Sequence, residues 1–169
     1  PAPLLTLIVG PSEEGHQVGE TKKDLVERQG IRQQFWASLL AEAKKKTKLH
    51  ANISPSQYGW IGAGAGKRGV AYNYVIRKNE GSVELYLDRG RDAEAENKDI
   101  FDKFLGAKQE IEKAYGEPLE WQRLDGKRAC RIKKTISLGG YPDREKWPQI
   151  INGMVDAMMR FEKALGPHI

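Results

Sequence analysis

The stretch GAGAGKRG, which ends at Gly69, combines closely spaced glycines with two cations. Gly64, Gly66 and Gly69 fit G-x-G-x-x-G, but a dinucleotide site requires a helix to begin there, and a strand pattern follows instead. A P-loop also fails, because Ile61 and Arg68 occupy the places of its first glycine and its Ser or Thr. The stretch therefore predicts a β-hairpin loop. A second hypothesis is that Lys67, Arg68 and free amides of this loop contact a backbone phosphate.

A second group of cations lies between Arg123 and Lys134, where six basic residues accompany one acidic residue. On the strand predicted there, Cys130, Ile132 and Ile136 should face the core, and Lys127, Arg131 and Lys133 should face water. One interpretation is a solvated or salt-bridged surface. The other is that this row, together with Lys67 and Arg68, binds nucleic-acid phosphates.

Metal and thiol chemistry have little support in the sequence. The single cysteine, Cys130, occupies an apolar strand position and is predicted to be a buried structural thiol. The three histidines are far apart along the chain, so no zinc site is predicted. We expect no cofactor. The net charge of +5 indicates affinity for polyanions in general, which does not define a function.

Alternating side chains between residues 57 and 89 predict a three-stranded meander. Its strands are Tyr58–Ala63, Val70–Arg77 and Ser82–Asp88. A second hairpin should pair Leu119–Leu124 with Arg128–Leu138 through a type I′ turn at Asp125-Gly126. These elements give the sheet five strands, mostly antiparallel.

Apolar residues at three-and-four spacing predict three amphipathic helices, over residues 20–47, 92–115 and 144–165. The fold class is therefore α+β, with the helices mainly on one face of the sheet. Residues 20–169 should form one domain, and residues 1–19 an entry segment or linker in which Leu4–Val9 could be an edge strand. The start Pro-Ala-Pro suggests a piece of a longer protein.

No apolar run is long enough to span a bilayer, and the N-terminal LLTLIVG lacks the other parts of a signal peptide. Together with the single cysteine, this favours a cytoplasmic location without a membrane partner.

Several segments resemble a bacterial domain-of-unknown-function family over about Ile31–Ile169: NISPS, WIGAGAGKRG, NYVI, VELYLDRG, ENKDIFD, LEWQRLDGKRACRI and DAMMRFEKAL. The resemblance implies a domain that commonly lies C-terminal to a PD-(D/E)XK nuclease-like region of a longer chain. It supplies no catalytic residues. The leading hypothesis is thus a non-catalytic, nuclease-associated domain that binds DNA or RNA.

An alternative is that this chain is itself a divergent nuclease, because its helix, three strands, helix and strand follow the element order of a PD-(D/E)XK core. That chemistry needs an acid on the second strand and acid-x-Lys on the third, to hold Mg²⁺ and activate water. The second strand has Asn73, and the third has Glu84-Leu85-Tyr86 without lysine. No catalytic residue is predicted; Glu84, Asp88 and, less directly, Glu42 are weak candidates.

A further alternative is an oligomerisation or protein-interaction module. The last predicted helix has a broad apolar face that could form the seam of a homodimer.

Overall fold

The structure, a computed structural model, describes residues 21–169. Within that range lie the four helices α1 (Lys22–Lys44), α2 (Glu94–Gly106), α3 (Lys108–Tyr115) and α4 (Trp147–Leu165). The five strands are β1 (Trp60–Gly64), β2 (Val70–Ile76), β3 (Gly81–Leu87), β4 (Glu120–Gln122) and β5 (Cys130–Ile136). The predicted linker and the strand at Leu4–Val9 lie outside the described residues.

The five strands form one antiparallel sheet in the order β1-β2-β3-β5-β4. The predicted meander and second hairpin are thus confirmed, and the hairpin joins the meander through β5 rather than β4. Opposite residues of antiparallel strands share a face, so the register defines two unlike faces. Tyr72, Leu85 and Ile132 lie in one row on the first face, while Asn73, Glu84 and Lys133 lie in one row on the second.

The first face carries the hydrophobic core. Tyr74, Val83, Leu85 and Ile132 are fully buried and pack in the same cluster as the helices. From α4, Met154 lies directly over Gly81. The core is continuous because every helix contributes apolar side chains to this one face: Phe35, Trp36, Leu39, Phe101, Phe104, Ile111, Tyr115, Ile150, Met154, Met158 and Phe161.

Helix α1 begins at an N-cap, where the Thr21 hydroxyl accepts a hydrogen bond from the Asp24 amide. The helix continues through Gly30 without a break. Trp36 is fully buried and donates its indole N–H to the Tyr58 carbonyl at 2.8 Å. This bond ties the middle of α1 to the segment that leads into β1.

The prediction of a single helix over residues 92–115 is wrong. The helix is interrupted at Ala107, whose φ of −108° and ψ of 18° are not helical. This interruption lets the apolar faces of α2 and α3 point in different directions. Phe101 of α2 packs in the core beside Trp121 of β4, whereas Tyr115 of α3 meets Phe161 of α4 edge to face. Gly116 ends α3, with a φ of 100°.

The predicted type I′ turn is also wrong. The β4 and β5 strands are shorter than expected and are joined by a loop over residues 123–129. Leu124 and Gly126 have positive φ, whereas a type I′ turn would need positive φ at both Asp125 and Gly126. The cause is a set of contacts made by α2, described below.

Gly140 packs against the turn between β2 and β3, and a substitution there tests this packing. A Cβ there would collide with the carbonyl oxygens of Arg77 and Lys78, which are backbone atoms and cannot rotate away. Gly140→Ala should lower the free energy of unfolding by about 3 kcal/mol in chemical denaturation. Gly30→Ala is the matched control. It lies in a helix with nothing within 4 Å and should raise stability by about 0.5–1 kcal/mol. Equal effects of the two changes would contradict this packing.

Candidate nucleic-acid interface

Three loops meet at one end of the sheet. Strands β1, β3 and β4 all run toward this end, and β2 and β5 begin there, because each neighbouring pair is antiparallel. The connections at this end are therefore the glycine loop (residues 65–69), the β3–α2 loop (88–93) and the β4–β5 loop (123–129). Together these three loops are called the loop end.

The glycine loop is bonded to the β3–α2 loop. The Asp88 amide donates to the Gly69 carbonyl at 2.8 Å. Gly69 has a φ of 79°, and a Cβ there would lie 2.8 Å from the Cα of Arg89. Only glycine combines that backbone conformation with so close an approach. Gly69 therefore permits the close contact between the two loops.

Asn97 joins the β3–α2 loop to the β4–β5 loop. Its side chain is fully buried at the start of α2. Its Oδ1 accepts from the Arg89 amide at 2.9 Å, and its Nδ2 donates to the Arg128 carbonyl at 3.1 Å. One amide side chain thus satisfies a backbone group in each loop, and this fixes their relative position.

The neighbouring Lys98 determines the shape of the β4–β5 loop. Only 7% of its surface is exposed, and its Nζ donates to the carbonyls of Arg123, Leu124 and Ala129 at 2.6, 3.0 and 3.1 Å. Three donors thus meet three acceptors, as a buried ammonium group requires. The loop cannot adopt a tight Asp-Gly turn while its carbonyls converge on this group.

Cys130 lies under the same loop, with its Sγ 3.4 Å from the Nζ of Lys98. The thiol is fully buried, and this burial raises its pKa. A thiol with a raised pKa is a poor nucleophile, which agrees with the structural role predicted for Cys130.

The loop end is strongly basic. Its three loops contain seven basic and three acidic residues, a difference of +4. Arg128 pairs with Asp88 at 2.7 Å, and this hydrogen bond is the main reason that the pKa of Asp88 is lowered. Arg89 pairs with Glu96, and Arg123 with Asp102 and Asp125. The remaining four basic side chains are exposed and have no ion pair within residues 21–169: Lys67, Arg68, Arg91 and Lys127.

The structure therefore brings Lys67, Arg68 and Lys127 to one end of the sheet. Sequence reasoning missed Arg91, which lies just beyond the end of β3. It also missed Asn97 and Lys98, because a polar pair at the start of an amphipathic helix gives no signal of burial.

The prediction that Arg131 and Lys133 face water is wrong for Lys133, of which only 9% is exposed. Arg131 is partly buried, and it donates to Gln122 at 2.6 Å and lies 3.4 Å from the Glu84 carboxylate. Lys134 pairs with Glu117 at 2.8 Å. Most of the row between residues 123 and 134 is thus salt-bridged, and the α2 residue Asp102 supplies one of its partners.

Arg131 and Lys133 lie on the second face of the sheet. The central row of this face crosses all five strands: Gly62, Asn73, Glu84, Lys133 and Glu120. The rows beside it hold Trp60, Ser82 and Thr135 on one side, and Tyr86, Arg131 and Gln122 on the other. This surface is called the polar face.

The weak catalytic candidates do not converge. Glu84 and Asp88 lie four residues apart along an extended segment, about 13 Å at the ~3.3 Å rise of a strand, and so cannot both bind one ion. Glu42 is on α1, where it pairs with Lys45 at 2.9 Å. Within residues 21–169, no group of three or more His, Cys, Asp or Glu side chains could hold a metal ion.

The apolar face of the last helix, on which the dimer hypothesis rested, belongs to the core of the same chain. Ile150, Met154, Val155 and Met158 are buried there. Among the large apolar side chains of α4, Met159 is exposed, at 38%. The broad apolar face of α4 is therefore covered within the chain, and a homodimer through this helix stays a prediction.

Fold and site define an α+β domain with one helix-covered sheet face, one polar face and one basic loop end. A family model described as "Domain of unknown function (DUF4268)" matches residues 31–169, and the chain belongs to that family. Comparisons with curated proteins and with solved structures found no significant match. In the described part of the chain, no helix has the length and apolar character needed to cross a bilayer.

Lys98→Met tests the organisation of the loop end. It keeps an unbranched side chain but leaves three partly buried loop carbonyls without their donor, so the free energy of unfolding should fall by about 3 kcal/mol. Hydrogen exchange should also speed up in residues 123–130. Lys103→Met, on the exposed side of the same helix, is the control and should change stability by less than about 0.5 kcal/mol. Unchanged exchange in the β4–β5 loop would show that Lys98 does not hold it.

Proposed function

We propose that this domain binds nucleic acid through its loop end and has no catalytic role of its own. The observation that carries the proposal is a group of four exposed cations without an ion pair among residues 21–169, on loops that are fixed to one another: Lys67, Arg68, Arg91 and Lys127. Cations on a fixed frame retain their spacing when they meet a phosphate backbone. Affinity for that backbone comes mainly from such contacts.

The backbone of the glycine loop adds to this surface. Lys67 and Arg68 lie between Gly66 and Gly69, which both have positive φ, so the segment turns tightly and presents the two cations away from the sheet. Two exposed aromatic residues, Tyr58 and Trp60, lie at and just before the start of β1, at the opposite end of that strand. They lie away from the cations of the loop end, and a single strand that extends along β1 to reach them can stack its bases on them.

The setting of the proposed activity comes from the resemblance noted in the sequence. It implies a bacterial protein in which a nuclease-like region precedes this domain. In such a cytoplasmic protein the domain would hold the nucleic acid for a catalytic centre in the nuclease-like region.

The dependence of binding on salt tests the proposal. Each phosphate contact contributes about −0.9 to the slope of log affinity against log salt on duplex DNA. The triple change Lys67→Ala, Arg68→Ala, Lys127→Ala should therefore make the slope less steep by about 2–3 and weaken binding similarly for all sequences. Fluorescence anisotropy with labelled duplex and single-stranded oligonucleotides measures both quantities.

The matched control removes the same charge from another surface. Lys103, Lys108 and Lys113 are exposed on α2 and α3, and their replacement by alanine should leave the slope unchanged. An equal effect of both triple variants would show that binding depends on net charge alone and not on the loop end. If the unmodified domain bound neither DNA nor RNA at low salt, the proposal would be wrong.

The absence of catalysis has its own test. Incubation of the domain with plasmid DNA and Mg²⁺ or Mn²⁺ should leave the plasmid intact, because Glu84 and Asp88 are too far apart to share an ion. Cleavage that Glu84→Ala or Asp88→Ala abolished would instead establish the nuclease hypothesis.

A further inference from the structure

The edge of the sheet at β1 is open. This strand stands at one end of the strand order, so among residues 21–169 only its β2 side is paired. On that side the Ala65 amide donates to the Val70 carbonyl at 2.9 Å. Residues of an antiparallel strand alternate between those whose backbone groups face the neighbour and those whose groups face away. The residues of β1 that face away are therefore Trp60, Gly62 and Gly64.

The β1 edge lacks the devices that usually prevent pairing with another strand, such as charges, proline or a short length. The opposite edge, β4, has three residues and includes Glu120. In contrast, β1 has five residues, and neither a charge nor a proline lies between Gln57 and Gly66. The Trp60 carbonyl accepts from the Ser56 hydroxyl at 3.0 Å, but a carbonyl can accept a second hydrogen bond. The edge is thus able to pair with a further strand.

We propose that β1 pairs with β1 of a second copy of this chain, antiparallel and about a two-fold axis at Gly62. In this register Gly62 lies opposite Gly62 of the other copy, and Trp60 of each copy lies opposite Gly64 of the other. These are the three residues whose backbone groups face outward, so the ladder of hydrogen bonds can form. The two five-stranded sheets then join into one of ten strands, with the helices of both copies on the same side.

The side chains of β1 are complementary to one another in this register. The Trp60 side chain is half exposed, and a Cβ at Gly64 would have nothing within 4 Å. Each indole can therefore lie over the open glycine of the other copy, a favourable cross-strand contact that the two-fold axis produces twice. An indole that lies flat there keeps its other ring face open. On the core face, the large Ile61 lies opposite the small Ala63.

Charge favours the antiparallel arrangement over the parallel one. The cations nearest to β1 are Lys67 and Arg68, which follow its C-terminal end. A parallel pair would place these cations of the two copies side by side, whereas an antiparallel pair places them at opposite ends of the contact. There they lie beside the uncharged segment before β1, which includes the exposed Tyr58. The pairing is independent of nucleic-acid binding, and no nucleic acid enters its test.

Sedimentation equilibrium of the chain measures the proposed dimer. The weight-average mass should rise from 19.0 kDa toward twice that value, with the Kd of about 1–100 µM that suits a small interface. Gly64→Glu places a charged side chain where the indole of the other copy would lie, twice in each dimer, and should raise the Kd by about tenfold or more. Gly106→Glu is the matched control. That glycine is exposed at the end of α2, a Cβ there also has nothing within 4 Å, and the Kd should change by less than about twofold.

Hydrogen exchange of the unmodified chain locates the contact. The amides of Gly62 and Gly64 face away from β2, so they should exchange rapidly in the monomer and slowly at concentrations where the dimer predominates. The Ala65 amide is bonded to β2 in both states and should change little.

Each other outcome would overturn the pairing. A mass that stays at 19.0 kDa far above the expected Kd would exclude the dimer. A dimer in which the Gly62 and Gly64 amides exchange at the same rate at all concentrations would form through another surface. Slow exchange of both amides in a monomer would show that another part of the same chain covers the edge. Thermal melting establishes that Gly64→Glu is folded, and if it is not, the exchange of the unmodified chain decides.

Discussion

A buried ammonium group determines the shape of the end of the sheet. Lys98 cannot be buried unless three acceptors converge on it, and the β4–β5 loop supplies them as carbonyls of Arg123, Leu124 and Ala129. The preceding residue, Asn97, fixes the same loop to the β3–α2 loop. Two adjacent residues of α2 thus position two loops, and the glycine loop follows through the bond from the Asp88 amide to Gly69.

The two faces of the sheet serve different purposes because their residues alternate. The helix-covered face takes the apolar side chains of all four described helices, including most of the apolar residues of α4. Little apolar surface therefore remains on α4 for a partner chain. The other face holds Asn73, Glu84 and Lys133, which contribute little to an apolar core. Asn73 Oδ1 is buried without a hydrogen-bond partner in the described part of the chain, and the Glu84 carboxylate has two contacts at 3.4 Å, which is a local cost to stability.

The general fold was predictable from the sequence. Alternation in Val70–Ile76 and Gly81–Leu87 identifies two strands whose buried face is apolar, and helical spacing identifies α1 and α4. The interruption at Ala107 was not predictable, because the apolar stripe continues across it. The two helices need different orientations only because one packs on the sheet and the other packs on α4. The β4–β5 loop was mispredicted because Asp125-Gly126 favours a tight turn locally, while Lys98, distant in sequence, imposes another geometry.

The candidate site was only partly predictable for a similar reason. Lys67, Arg68 and Lys127 lie in turns, where exposure can be expected from sequence. Lys133 lies on the face opposite Ile132, as the alternation predicts. Its side chain is nevertheless buried there, which the alternation does not show. The partners of the basic row, such as Asp102 and Asp88, come from other elements and need the fold to be identified.

The most direct test of the central claim is a titration of the ¹⁵N-labelled domain with a single-stranded oligonucleotide, followed by amide chemical shifts. The account predicts that the largest changes occur in residues 65–69, 88–93 and 123–129. Changes confined to the exposed sides of α1, α3 and α4 would contradict it, because they would place the ligand away from the loops that Asn97 and Lys98 hold together.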